Sequence, residues 1–182
     1  MLNLAGCAFL VKTHVDDLTL SSVSLVRADN APHNESGWPP QGKRKVLLVS
    51  LLTRRDIDRI AAENELNNLA ADISFCGTSG QLAVSRLYRD GREIGPFLDP
   101  EERGLLASAA PGTPPYSYQV WFDYRTLHDP AGGGFIGYDL SRKPKDLCID
   151  IKGTPYMNVG TGLVTNTIVI PKQVISAALA KY

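Results

Sequence analysis

Apolar and polar residues alternate along much of the chain with a period of two, which is typical of half-buried β-strands. The aromatic stretch 117–124 is the clearest case, because Tyr118, Val120, Phe122 and Tyr124 share one face and are expected in the core. Continuous apolar runs add candidates for fully buried strands. The pattern predicts strands at residues 18–26, 46–52, 73–76, 82–91, 92–97, 117–124, 147–151 and 163–170.

Helical spacing is confined to a few segments. Apolar residues between 54 and 70 recur with a 3.6-residue period, which predicts one long half-buried helix with Thr53 as its N-cap. A short helix is predicted around 101–109. Pro171 suits the first turn of a helix and predicts a C-terminal helix over about 172–181. The apolar positions of the long helix are Ile57, Ile60, Ala61, Leu66 and Leu69.

These elements predict an α+β fold, a mainly antiparallel sheet with one long helix and a C-terminal helix. The dipeptide Asp90-Gly91 favours positive φ and predicts a tight hairpin. Without a repeat or a linker in the sequence, residues 8–182 are expected to form one globular domain. Three loops are expected to carry recognition, because rigid sheets commonly present function on loops. They span 28–45, 99–116 and 126–145.

Composition narrows the classes of partner. The 182 residues suffice for one real core, and 43% hydrophobic content excludes wholesale disorder. The chain balances 19 basic against 19 acidic residues without a basic stripe, so no nucleic-acid partner is expected. Its longest apolar runs are strand-sized and far shorter than the roughly 20 residues of a spanning helix. Membrane contact is therefore expected only through an anchor.

The run Leu4-Ala-Gly-Cys7 matches the cleavage site of bacterial lipoprotein signals, which predicts lipidation at Cys7. Residues 1–7 would be the remnant of that signal, and the protein would face the periplasm from the outer or inner membrane. Residues 1–3 cannot supply a basic and an apolar region, so either the start is trimmed or misplaced, or the match is accidental. The alternative is a short first strand over 7–11 with a buried thiol.

Cys76 and Cys148 are the pair that remains once Cys7 is set aside. In an oxidising periplasm they are a disulfide candidate, whereas in a cytosolic protein they would be buried hydrophobic residues. The chain has no Cys-x-x-Cys and no closely spaced Cys/His pair, so no metal site is predicted.

Catalytic patterns are sparse. Residues 132–137 fit G-x-G-x-x-G, but no strand precedes them and no helix follows, so a loop is predicted and no cofactor is expected. None of the three histidines stands in a recognisable catalytic setting. No catalytic residue is predicted, although a small hydrolase using Ser79 or Cys76 with His128 remains an open alternative.

Exposed aromatic residues are better candidates for contact with a protein partner, because aromatic and arginine anchors dominate interfaces. Trp38 lies in a proline-rich loop, while Tyr116 and Trp121 stand near or within the aromatic strand. His128 belongs to the next loop. The predicted partner-binding residues are therefore Trp38, Tyr116, Trp121 and His128.

The block Asp146-Leu-Cys-Ile-Asp-Ile-Lys-Gly153, followed by Thr165-Asn-Thr-Ile-Val-Ile-Pro-Lys172 and a helix, resembles small lipoproteins that serve as immunity proteins for type VI secretion effectors. The resemblance covers about 40 residues. It implies a non-enzymatic protein that occludes the active site of a secreted antibacterial effector, often a lipase. A structural or assembly lipoprotein of a secretion or envelope complex is the alternative.

Overall fold

A computed structural model describes residues 11–32, 44–78, 80–94, 100–108, 112–125, 138–155 and 161–181. Within these ranges the chain is α+β, as predicted, and most strand pairs are antiparallel. The helices are α1 (Ile57–Glu63), α2 (Pro100–Ser108) and α3 (Lys172–Ala180). The strands are β1 (Val11–Val15), β2 (Thr19–Arg27), β3 (Lys45–Thr53), β4 (Leu66–Phe75), β5 (Gln81–Arg86), β6 (Tyr88–Arg89), β7 (Arg92–Glu93), β8 (Tyr116–Phe122), β9 (Leu147–Pro155), β10 (Thr161–Thr165) and β11 (Ile168–Ile170).

The strands form two sheets. Sheet A has the order β1-β10-β9-β4-β5, and β11 pairs with the first half of β9. Sheet B has the order β2-β3-β8-β6-β7. Only β1 and β10 run parallel among the strands that the structure describes.

The two sheets share one hydrophobic core. Leu47, Val49 and Leu51 of β3 lie in the same buried cluster as Ile73 of β4 and Ile149 of β9. The predicted core face of β8 is confirmed, because its alternate residues are all buried, as is Tyr124 beyond it. The period-two pattern therefore places the core between the sheets.

The sheets are also joined by hydrogen bonds at two places. The Asn166 amide holds the main chain of Leu18 from both sides, with its Oδ1 accepting from the Leu18 N–H (3.0 Å) and its Nδ2 donating to the Leu18 carbonyl (2.9 Å). The Asn166 N–H donates to the Val15 carbonyl at 3.1 Å. At the opposite side, the Trp121 N–H donates to Ser85 Oγ at 3.1 Å. The polar groups at these two connections between the sheets therefore have hydrogen-bond partners.

The long helix predicted over 54–70 is wrong, because it is a helix of 7 residues followed by a strand. Asp56, not Thr53, is the N-cap, and its side chain accepts from the Arg59 N–H. Glu65 follows the helix with a φ of 52°. The residues from Leu69 to Phe75 then alternate between buried and partly buried positions. This stretch therefore follows the two-residue period of a strand, although the helical spacing had predicted a helix as far as residue 70.

Other boundaries are closer to expectation. The Asp90-Gly91 hairpin is confirmed, with φ values of 50° and 80°, and so are α2 and α3. The predicted strand 163–170 is two strands, because Asn166 leaves the sheet to hold Leu18. The predicted strand 82–91 also divides: β5 ends sheet A and β6 enters sheet B.

Candidate functional site

Several chain segments meet at one end of sheet B, which we call the loop end. Here β3 finishes and β8 begins, and Thr53 pairs with Tyr116 in register. The β6–β7 hairpin turns at the same end, since Tyr88 pairs with Gln119 and Arg89 continues toward the start of β8. The loop end therefore brings together residues from four distant parts of the sequence.

An open cleft of about 620 Å³ lies at the loop end. One wall is the Pro114-Pro115 segment, whose peptide bond is cis. Clefts that combine apolar walls with a few fixed polar groups are the usual form of a binding site. The cleft is lined by Asp17, Thr19, Leu52, Thr53, Arg54, Pro114 and Pro115.

The carboxylate of Asp17 is the fixed polar group of this cleft. Its Oδ1 accepts from the Thr53 hydroxyl at 2.6 Å, and its Oδ2 accepts from the Arg54 N–H at 2.8 Å. Slight burial opposes ionisation, but these hydrogen bonds and the charge of Arg55 outweigh it and lower the pKa of Asp17. Asp17 is therefore negatively charged at neutral pH and held in one orientation.

Arg89 is the centre of a second polar group, which we call the Arg89 cluster. Its Nη1 donates to Asp56 Oδ1 at 3.1 Å and to Asp58 Oδ2 at 3.0 Å. The guanidinium lies 4.9 Å from the centroid of the Tyr116 ring, within the range of a cation–π contact. One arginine side chain thus ties the start of α1 to the β6–β7 hairpin and to β8.

Burial raises the pKa of Asp58 to about 6 against the opposing attraction of Arg89, and the negative charge of Asp56 adds to the rise. Asp58 Oδ1 is buried without a hydrogen-bond partner among the described residues. Tyr118 Oη accepts from the Ile57 N–H at 2.8 Å, and burial together with Asp58 raises the pKa of Tyr118. Asp58 is therefore the group of the cluster whose charge is expected to change in the mildly acidic range.

Helix α2 packs against α1 and extends the surface near the loop end. Leu105 and Leu106 on this helix are 65% and 37% exposed. Exposed apolar residues on a helix are the kind of side chain found in protein-binding surfaces.

The outer face of sheet A is a second surface, which can be compared with the loop end. Lys152 Nζ donates to Asp72 Oδ2 at 2.8 Å, and this hydrogen bond is the first cause of the raised pKa of Lys152. Val84 and Val169 stand on the same face at 57% and 53% exposure. The lysine of this ion pair is more than half exposed.

The Cys76–Cys148 disulfide is confirmed, with the two Cα atoms 5.0 Å apart. It ties the end of β4 to β9, which are neighbours in sheet A. The Cys76 N–H also donates to the Asp146 carbonyl, and the Asp146 carboxylate accepts from the Lys172 N–H at the start of α3. The alternative that used Cys76 as a nucleophile is therefore wrong, because its sulfur is part of the disulfide.

The predicted partner-binding residues have different outcomes. Tyr116 is only 6% exposed, because it lies on the same inward-facing side of β8 as Tyr118 and Val120. Its hydroxyl donates to the Gly112 carbonyl. Its expected role as an exposed anchor is wrong. Trp121 is half-buried, and its indole N–H donates to the Pro32 carbonyl at 2.8 Å. Trp38, His128, Ser79 and Cys7 lie outside the described residues.

Sequence reasoning missed both groups at the loop end. Asp17, Thr53 and Pro114 are far apart in sequence, and Arg89 is 31 and 33 positions from its two acidic partners. One local signal is present: Asp56 stands three residues before Arg59, the spacing of an N-cap side chain and the backbone N–H that donates to it.

Among the described residues, no group of three or more His, Cys, Asp or Glu side chains is arranged to hold a metal ion. None of the described helices has the length and apolarity needed to cross a bilayer.

Comparison of the chain with protein-family models, with curated protein sequences and with solved structures gives no match.

Proposed function

We propose that this protein is a non-enzymatic envelope lipoprotein that binds a secreted antibacterial effector and neutralises it by covering its active site. The observation that supports the proposal is the loop end of sheet B, where an open cleft holds the hydrogen-bonded, ionised carboxylate of Asp17. Helix α2, which packs against α1, adds two exposed leucines to the surface. Fixed polar groups give specificity and exposed apolar groups give affinity.

The disulfide supports the extracytoplasmic part of the proposal, since such bonds persist in oxidising compartments. The segments that resemble immunity lipoproteins are also neighbours in space. Residues 147–149 of β9 pair with residues 168–170 of β11, and α3 follows directly. The resemblance therefore covers one continuous piece of sheet A, which would serve as the scaffold behind the recognition surface.

Co-expression with a candidate effector, the product of the gene adjacent to the one for this protein, tests the function directly. Periplasmic expression should protect cells, and the two proteins should form a complex on size-exclusion chromatography. The variant Leu105→Asp should lose protection, because it places a charge at the exposed surface of α2. The matched control Val84→Asp, on the outer face of sheet A, should keep it.

The outcomes separate the alternatives. Absence of both protection and complex formation would show that the immunity proposal is wrong, and a permanent complex with an envelope component instead would favour an assembly lipoprotein. Loss of protection with Val84→Asp but not with Leu105→Asp would place recognition on sheet A.

Lipidation at Cys7 is tested separately. Cells expressing the protein from its own upstream region should incorporate labelled palmitate into it, and Cys7→Ser should abolish the label. Cys76→Ser is the control and should retain the label. Palmitate incorporation that survives Cys7→Ser would contradict an anchor at this residue.

A further inference from the structure

The geometry points to a specific ligand for the cleft: we infer that it binds an arginine side chain of a protein partner, with Asp17 as the receptor carboxylate. This inference deepens the proposed function and rests on it only in naming a protein as the source of the arginine. The cleft itself can be tested with peptides.

The hydrogen bonds of Asp17 leave its carboxylate able to accept a further donor. Each carboxylate oxygen can accept two hydrogen bonds. The Asp17 oxygens accept from the Thr53 hydroxyl and the Arg54 N–H, and the N–H of Asp17 itself adds to the stabilisation of the charge. Asp17 has no ion-pair partner within the described ranges, although Arg55 is close enough to lower its pKa. The charged N–H groups of a guanidinium suit this remaining acceptor.

The walls of the cleft suit the rest of an arginine side chain. Leu52, Pro114 and Pro115 line it with apolar atoms. The three-carbon stem of arginine buries readily along such atoms while its charged head reaches a polar group. Proline rings also lose little conformational freedom when they are covered, so the wall is already organised for contact.

Arg54 sets the orientation of the ligand. Its side chain lines the cleft and is exposed, and its guanidinium has no ion-pair partner within the described ranges. It repels a second cation and would attract an acidic residue next to the incoming arginine. Removing the Arg54 charge should therefore strengthen binding of an isolated arginine side chain, whereas removing the Asp17 charge should weaken it.

The test is an NMR titration of the ¹⁵N-labelled protein with three blocked peptides that share one frame: acetyl-Ala-X-Ala-amide with arginine, citrulline or glutamate at X. Citrulline has nearly the shape of arginine without its charge. The arginine peptide should produce saturable shifts of the Thr53 and Arg54 amide signals, and the other two peptides should not.

Three variants sharpen the result. Asp17→Asn should lower the affinity for the arginine peptide by about threefold or more, in line with an ion pair that is partly exposed. Arg54→Gln should raise the affinity by about twofold. Asp16→Asn removes a neighbouring exposed carboxylate that does not line the cleft, and it should leave the affinity unchanged.

Equal binding of the citrulline and arginine peptides would overturn the inference, as would equal weakening by Asp16→Asn and Asp17→Asn, or the lack of any shift. Binding of the glutamate peptide instead would assign the cleft to Arg54. If Asp17→Asn disturbs the amide spectrum as a whole, the sign of the Arg54→Gln effect decides. No effector enters this experiment, so its failure would leave the co-expression test of immunity intact.

Discussion

The disulfide region of sheet A and the Arg89 cluster at the loop end of sheet B are held together by different physics. In sheet A a covalent bond joins adjacent strands, and the nearby Lys152–Asp72 ion pair is more exposed, with 57% of the lysine and 27% of the aspartate side chain accessible. At the loop end the described residues form no covalent cross-link. The charged side chains there are half-buried: 24% of Arg89, 17% of Asp56 and 19% of Asp58 is accessible.

The two regions should therefore be destabilised by different changes. Water screens the exposed pair, so it adds little to stability and its loss costs little. The buried ions depend on each other, because removing one leaves an uncompensated charge away from water. Sheet A should therefore respond to reductant, and the loop end should respond to pH.

Removing the disulfide is expected to have the largest effect. The double variant Cys76→Ala/Cys148→Ala frees a loop closed across 72 positions and should lower the free energy of unfolding by about 4 kcal/mol in the chain-entropy model. Urea denaturation at pH 7 measures it. Cys7→Ala controls for loss of a cysteine and should change nothing. A loss below about 1 kcal/mol would mean that the sheet alone holds this region.

Removing the cation of the Arg89 cluster should come next. Arg89→Met leaves two carboxylates facing each other and should lower the free energy of unfolding by about 3 kcal/mol at pH 7. Arg59→Met is the matched control, because it breaks only the exposed pair with Glu63 on α1 and should cost much less than Arg89→Met. Equal losses in the two variants would remove the distinction between buried and exposed pairs.

The pH dependence of Asp58 should be smaller. Its folded pKa of about 6 lies above the unfolded value near 3.8, so the protonated form favours folding and this contribution is lost as pH rises from about 4 to 6. Asp58→Asn mimics the protonated acid. Relative to the wild type, this variant should gain about 2 kcal/mol between pH 4 and pH 7.5, measured by urea denaturation at both values.

The groups facing Asp58 are Arg89, Asp56, Asp90 and Tyr118, and the Asn variant leaves all of them in place. A stability difference between Asp58→Asn and the wild type that does not change with pH would show that Asp58 is ionised throughout. Asp90→Asn, at an 88% exposed side chain, is the comparison for removing a carboxylate at the surface.

The smallest effect is expected for the exposed pair of sheet A. Lys152→Met should change the free energy of unfolding by less than about 1 kcal/mol, because solvent screens the charges and the aliphatic stem is retained. A thermal melt at low and at moderate salt measures it. A loss comparable to that of Arg89→Met would show that the two ion pairs are equivalent.

Local patterns were enough to predict most strands, the Asp90-Gly91 hairpin and the two later helices, since each depends on neighbours in sequence. The end of α1 was missed, although Asn64 is a recognised stop signal and its side chain donates to the Ile60 carbonyl. The alanines at 70 and 71 fit either period, and only pairing with β5 and β9 decides between them.

The loop end could not be predicted in the same way. Asp17, Thr53 and Pro114 meet because β2, β3 and β8 are adjacent, and Arg89 reaches Asp58 because the hairpin joins sheet B instead of sheet A. Strand order depends on long-range contacts that no short pattern encodes. Tyr116 is an example. It stands two residues before Tyr118 and so shares its inward face, but the predicted strand began at residue 117, and Tyr116 was therefore expected to be exposed.

The Asn166 amide has a mechanical consequence. It fastens the turn between β1 and β2 to sheet A, so tension applied to the chain ahead of β1 must first peel this short edge strand and then break the Asn166 bonds before it reaches sheet B. We expect single-molecule pulling from the N-terminus to show two force steps in the wild type and one in Asn166→Ala. Because Asp17 and Thr19 of the cleft flank Leu18, the Asn166 bonds would hold this side of the cleft in place until they break.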